Sequence, residues 1–230
     1  MSLWNMPLFL VNFHACFGLT YSRFSAAPST AIRLRVCCSP FAGLSAASRM
    51  KKPRMMKYVI WIPPIQCWLK GNIDEASSGA PGPSGCGGVF HTCRGFVKGC
   101  FFHYIGNGYV IEAELWAVIK AVRYIVRYEW NELWIESDSS VAVQIIKDRS
   151  WNVPWRMLSD WGDCLRLMEE LSLEVTHVYR EANQVADALS KRAILEVSSS
   201  WYFILPEYCN CMAQDDRDGV LFTRHCKASP

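Results

Sequence analysis

The sequence predicts an α/β protein, a three-layer fold with a five-stranded mixed sheet flanked by helices. Three observations carry this. Three short strand-like runs follow one another between Gln66 and Tyr104. Next comes a segment whose apolar residues Leu115, Val118, Ile119, Val122, Ile125 and Val126 recur every three or four positions. Two more strand-like runs then alternate with helical ones, an order that requires crossover connections and so a mixed sheet with helices on its faces.

The first strand is expected over Gln66–Ile73, after the stiff lead-in of Pro63 and Pro64. The next two, about Gly87–Thr92 and Gly95–Tyr104, are joined by a tight turn near Cys93–Arg94. The apolar stripe makes "YVIEAELWAVIKAVRYIVRYE" a helix. "ELWIESD" alternates, which predicts a fourth strand with Leu133 and Ile135 on one face. "SSVAVQIIKD" reads as a short helix capped by Ser139 or Ser140. Pro154 stands near the start of another helix, which turns Leu158, Leu165 and Met168 inward. "SLEVTHVYR" is the fifth strand, and "NQVADALSKRA" is a helix opened by Asn183. The glycine-rich stretch from Gly71 to Gly88 reads as a hairpin turn. It is no phosphate loop, because no Gly-Lys-Ser/Thr ends it and a strand follows.

Of the 230 residues 51% are hydrophobic and 13% aromatic, enough for a buried core and against wholesale disorder. The chain divides into a basic, poorly ordered N-terminal extension (1–57), a domain (58–195) and a C-terminal tail (196–230) that packs on or extends the domain. Residues 1–73 hold nine basic residues and no acid, whereas the remainder carries fifteen basic against twenty-one acidic residues. The patterned part is therefore no general basic nucleic-acid binder, and a polyanion there needs a local patch, a metal or the N-terminal segment. The extension fits an organelle transit peptide, or else a tail or an over-extended gene start. Its "MKKPRMMK" run suits a nucleic-acid contact, a nuclear address or a solvated linker. No apolar run reaches a membrane span, the best, Met6–Phe17, being interrupted by Asn12 and His14. Eleven cysteines without a C-x-x-C pair read as reduced, mostly buried thiols of an intracellular protein.

Four acids stand where such a fold places a site. Asp74 and Asp138 end predicted strands, Glu114 lies on the margin of the apolar stripe, and Asp187 sits one turn into the final helix. Four carboxylates at one sheet edge would repel, and burial would raise their pKa values unless cations compensated. Oxygen-only ligands suit Mg²⁺ or Mn²⁺. Each acid also has a plainer reading: turn initiator for Asp74, helix-dipole partner for Glu114, N-cap for Asp138, solvated helix acid for Asp187.

"NID", "AELWA", "ESDSSVAVQII" and "HVYREANQVADALSK" stand in the order of the ribonuclease H domain. The chain resembles most its plant, retrotransposon-derived branch, the reverse-transcriptase-like group. The resemblance spans about Trp61 to Ala193 and reaches more weakly into "LPEY…AQDDRDGVLFTR". It implies a five-stranded mixed sheet and metal-dependent endonucleolytic hydrolysis of the RNA strand of an RNA–DNA hybrid. It also implies that Asp74, Glu114, Asp138 and Asp187 hold two Mg²⁺ (or Mn²⁺) ions. Asn183 matches the family's asparagine, read first as a helix cap and second as a substrate contact. Arg180 and Lys191 are phosphate contacts or solvated charges, and His177 is given no catalytic role. Two departures stand out: Glu75 replaces the usual glycine after the first Asp, and Gly79-Ala80 replaces Gly-Asn. They leave a second reading, a retroelement-derived domain that binds nucleic acid with little or no catalysis.

Overall fold

The computed structural model describes residues 55–226. The expected extension lies outside them up to residue 54, and with it the transit-peptide reading and most of the basic run. In chain order the first elements are β1 (Met55–Val59), β2 (Leu69–Ser77), β3 (Gly82–His91), β4 (Val97–Gly108), α1 (Val110–Arg127) and β5 (Glu132–Ser137). Then follow α2 (Ser140–Lys147), α3 (Leu158–Glu169), β6 (Ser172–His177), α4 (Gln184–Glu196), β7 (Ser199–Tyr202), α5 (Asn210–Asp218) and β8 (Phe222–Cys226). No helix among the described residues is long and apolar enough to cross a membrane.

The main sheet runs β6-β5-β2-β3-β4-β7, and β1 and β8 form a separate antiparallel ribbon. β2, β3, β4 and β7 are antiparallel neighbours, while β5 and β6 extend the sheet in parallel from β2. The expected five strands thus become six. The tail adds β7, which pairs Trp201 with Phe101 and covers an edge of β4 that would otherwise present unpaired backbone. Trp201 stacks on Tyr124 at 4.3 Å and Tyr128 at 4.9 Å between ring centroids, which ties the tail to α1. This strand escapes the sequence because four residues of "SSWY" show no period.

Strand alternation sends side chains into two cores. Ile73, Phe90, Phe101, Leu133 and Ile135 face α1, whose stripe of Leu115, Val118, Ile119, Val122 and Ile125 is fully buried. Burying each such side chain contributes roughly 1.5–3 kcal/mol. Met157, Trp161, Cys164, Leu165 and Met168 complete that layer from the α3 side. Leu158 does not, being 40% exposed: a 3₁₀ turn over Trp155–Met157 shifts the phase and turns Met157 inward instead. On the opposite face Val89, Cys100 and Phe102 pack against Val185, Leu189 and Ala193 of α4.

The glycine-rich stretch is mostly strand. A Cβ on Gly87 would stand 2.4 Å from the Ser190 nitrogen, and one on Gly85 2.7 Å from the Ala193 Cβ. These glycines admit α4 against β3, and the turn itself is confined to Ser78–Pro81. The expected first strand is also displaced. It begins after Cys67, whose φ of +73° breaks the extended run, and continues through Asp74 to Ser77. Eight cysteines are described, all free, and four of them (Cys86, Cys100, Cys164, Cys209) are buried, so the thiols are less uniformly internal than expected.

Candidate active site

Three elements converge at one edge of the sheet. Asp74 lies inside β2, opposite Gly87, rather than at its end. Its face looks toward α4, because Gly87 does. Asp138 follows β5 directly, and Asp187 lies in the first turn of α4. Glu114 comes from the other side, half-buried near the start of α1. Ser139, not Asp138, caps α2, its hydroxyl accepting the Ala142 N–H at 3.2 Å.

The charges interact as like charges in a poorly solvated place must. Burial raises the Asp74 pKa to about 8, with the Asp138 and then the Asp187 charge adding to it and the Glu75 N–H opposing. That N–H donates to Asp74 Oδ1 at 2.9 Å, but the buried Oδ2 has no partner. Burial also raises Glu114, with Asp138 contributing and the Ser139 hydroxyl opposing. Glu75 joins them: burial raises its carboxyl, followed by the Glu114 charge, and its Oε2 is buried and unpartnered.

Cationic side chains supply the local countercharge. Arg180 Nη2 lies 3.0 Å from Asp187 Oδ1, and its Nε 3.9 Å from Asp138 Oδ2. Lys191 Nζ lies 2.5 Å from Asp187 Oδ2. His177 is exposed at the end of β6, its Nε2 3.0 Å from the Asp138 carbonyl oxygen. As placed, no three His, Cys, Asp or Glu side chains among the described residues converge closely enough to hold one metal ion. The donor set still suits a hard divalent cation. It is all oxygen, it carries excess negative charge, and its most buried member has an oxygen without a hydrogen-bond donor.

Sequence reasoning missed a second polar cluster just behind this edge. Lys70, two residues before Asn72 on the same face of β2, is 1% exposed. Its ammonium lies 2.8 Å from Glu136 Oε2, donates to the Ile62 carbonyl at 2.5 Å, and sits 4.1 Å from the centre of the Trp134 ring. Burial lowers its pKa, which Glu136 and then Asp216 pull back. Asn72 accepts the Trp61 indole N–H at 2.9 Å and donates to Glu136 Oε2 at 3.1 Å and to Asn183 Oδ1 at 3.3 Å. Thr176 donates to the other Glu136 oxygen at 3.3 Å. The one signal in the sequence was the spacing of Lys70, Asn72 and Asp74, which puts all three on one face. Asn183 also departs from expectation. It stands at the N-cap position of α4, but its side chain does not cap; it donates to the Ile73 carbonyl at 2.9 Å.

Residues 72–193 match the profile of a family described as "Reverse transcriptase-like". A candidate ribonuclease H protein of Arabidopsis thaliana is 31% identical over 170 residues, which is 73% of this chain and 27% of that protein. The chain thus spans about a quarter of that relative's length. Among solved structures, the N-terminal RNase H domain of a Mycobacterium tuberculosis protein superposes with a TM-score of 0.52 at 24% identity, covering 56% of this chain and 94% of that one. LC11-RNase H1, isolated from compost and solved in complex with an RNA/DNA hybrid, gives 0.51 at 23% identity, covering 56% and 98%. The mixed sheet with helices on both faces has the fold of these structures. The chain belongs to the reverse transcriptase-like family and carries its ribonuclease H-like domain.

Proposed function

We propose that this chain is a metal-dependent endonuclease that hydrolyses the RNA strand of RNA–DNA hybrids. The observation that supports it most is the gathering of Asp74, Glu114, Asp138 and Asp187 about one sheet edge, with one Asp74 oxygen buried and unpartnered. Excess negative charge of this kind is costly for a fold and useful to a site that takes up cations. The four carboxylates would hold Mg²⁺ or Mn²⁺, two ions in all. When bound, such ions activate a water and stabilise the leaving oxygen of a phosphodiester.

The chain's own residues do the rest. Asp138 and Asp187, which pair with Arg180 and Lys191, would serve as ligands of the ions. Both basic side chains are more than half exposed, which leaves them free to meet the phosphates of a bound strand. Two similar proteins support a hybrid as substrate: the Arabidopsis protein named as a candidate ribonuclease H protein and the compost enzyme solved with an RNA/DNA hybrid. The second reading, nucleic-acid binding with little or no turnover, rests on Glu75. Its carboxylate adds a charge beside Glu114 and Asp138 where the family usually has glycine.

The test is cleavage of a labelled RNA–DNA hybrid in Mg²⁺ by the wild type and by Asp138→Asn, with duplex DNA as control. Hybrid-specific cleavage that Asp138→Asn abolishes is the expected result. Equal background from both proteins removes the enzyme reading, and retained hybrid binding in that case supports the second one.

A further inference from the structure

We propose that Asn72 is a positioning residue, which with Glu136 and Asn183 sets the register of α4 against β2 and thereby the place of Asp187 relative to Asp74. The inference rests on the reading of the site just given. It begins from how α4 meets the sheet. Gly85 and Gly87 bring the helix very close, as their missing Cβ atoms require. Glycines offer no side chain to key between the turns of a helix, so this contact is smooth along the helix axis. Val185, Leu189 and Ala193 pack the helix against Val89, Cys100 and Phe102, and what the glycine strip leaves to other contacts is the placement of its first turn, where Asp187 stands.

The polar clamp does this. Asn72 is 2% exposed, and both ends of its amide are committed: the oxygen to Trp61, the nitrogen to Glu136 and to Asn183. A buried amide so satisfied has one orientation. It fixes the Asn183 side chain, whose own nitrogen donates to the Ile73 carbonyl, the peptide oxygen immediately before Asp74. The Asn183 backbone carbonyl in turn accepts the Asp187 N–H at 3.1 Å. A short path of hydrogen bonds thus runs from the backbone beside Asp74 to the backbone of Asp187. Lys70 anchors its far end by holding Glu136, which also takes the Thr176 hydroxyl. The clamp would also explain why Asn183 forgoes the capping bond that its position invites.

The test uses the full chain with Asn72→Ala, and with Lys70→Met combined with Glu136→Leu as a second variant that removes both members of the buried ion pair. Amide hydrogen exchange is followed at Asp187 and, as a reference in the opposite layer, at Val122. In a folded Asn72→Ala protein we expect Asp187 to exchange ~tenfold faster with Val122 unchanged. Hybrid cleavage should lose ~tenfold in kcat with KM for the hybrid little changed, as for a group that is present but misplaced. The double variant should show the same selective effect, and it alone decides the matter if Asn72→Ala does not fold. Unchanged exchange at Asp187, or equal acceleration at Asp187 and Val122, overturns the proposal, as does a wild-type kcat. If the wild type does not cleave hybrids, the functional reading fails by itself and the exchange measurement still judges the clamp.

Discussion

Lys70, Asn72 and Asp74 stand on one face of one strand, yet the side chains of the first two are matched and that of the third is not. Lys70 faces Glu136, and every polar atom of the Asn72 amide has a partner. Two residues along, Asp74 has an oxygen without one and meets Asp138 and Asp187, charges of its own sign. Partial relief comes from the Glu75 N–H and from Arg180 and Lys191, which reach in from solvent. The difference teaches how such a fold tolerates a charged edge: directly behind it the Lys70 charge and the Asn72 amide are paired. It also separates two kinds of buried polar residue that look alike in a sequence. One kind stabilises, while the other weakens the free protein and is justified only by what it binds.

That contrast can be broken from either side. The largest effect should come from Lys70→Ala, which strands Glu136 as a buried unpaired charge. A loss of about 3–5 kcal/mol in urea unfolding is expected, against about 1 kcal/mol or less for Lys70→Met with Glu136→Leu. In the acidic cluster the sign reverses. The folded protein holds the Asp74 proton up to about pH 8, whereas an ordinary carboxyl releases it near 3.8. Its contribution to stability is therefore complete at low pH and lost as pH rises through about 8. Metal-free Asp74→Asn should accordingly be more stable than the wild type at pH 8, by ~2 kcal/mol, and show a shallower decline between pH 5 and 8. Asp216, raised to about 7 chiefly by burial, supplies a background slope of the same sign in both proteins.

Mg²⁺ at ten times its Kd should stabilise the wild type by about 1.4 kcal/mol in a thermal melt, an increment that Asp138→Asn lacks. An equal increment in both would place the ion elsewhere. The smallest effect concerns Glu75→Gly. Removing the carboxylate beside Glu114 and Asp138 should raise hybrid cleavage ~threefold by easing the approach of phosphate. A fall instead would show that Glu75 has become part of how this site works.

Much of this was legible in the residues. The α1 stripe, the Leu133/Ile135 alternation and a serine cap on α2, left open between Ser139 and Ser140, are local patterns, and local patterns survive into structure. Asp74 was expected at a strand end and lies inside β2, since "DEAS" lacks strand formers and its extension depends on the glycines of β3 across the ladder. Those glycines read as a turn because the close approach of α4 that requires them is a tertiary fact. Lys70 went unnoticed because a lone lysine is exposed by default, and its burial depends on Glu136, far away in sequence. Asn183 carried the right position and the wrong role, its partners Asn72 and Ile73 being equally remote.

The pairing of β1 with β8 has a practical corollary. The first and last described strands fasten to each other, Met55 opposite Cys226, so the fold is sealed by segments that the family match over 72–193 leaves out. A fragment trimmed to that match would lose Lys70 and Trp61 at one end and β7 at the other. Glu136 would be stripped of its cation, Asn72 of its indole, and β4 of its neighbour. Such a fragment could be inert for reasons that say nothing about the four carboxylates, and the unit worth assaying runs at least from Met55 to Cys226.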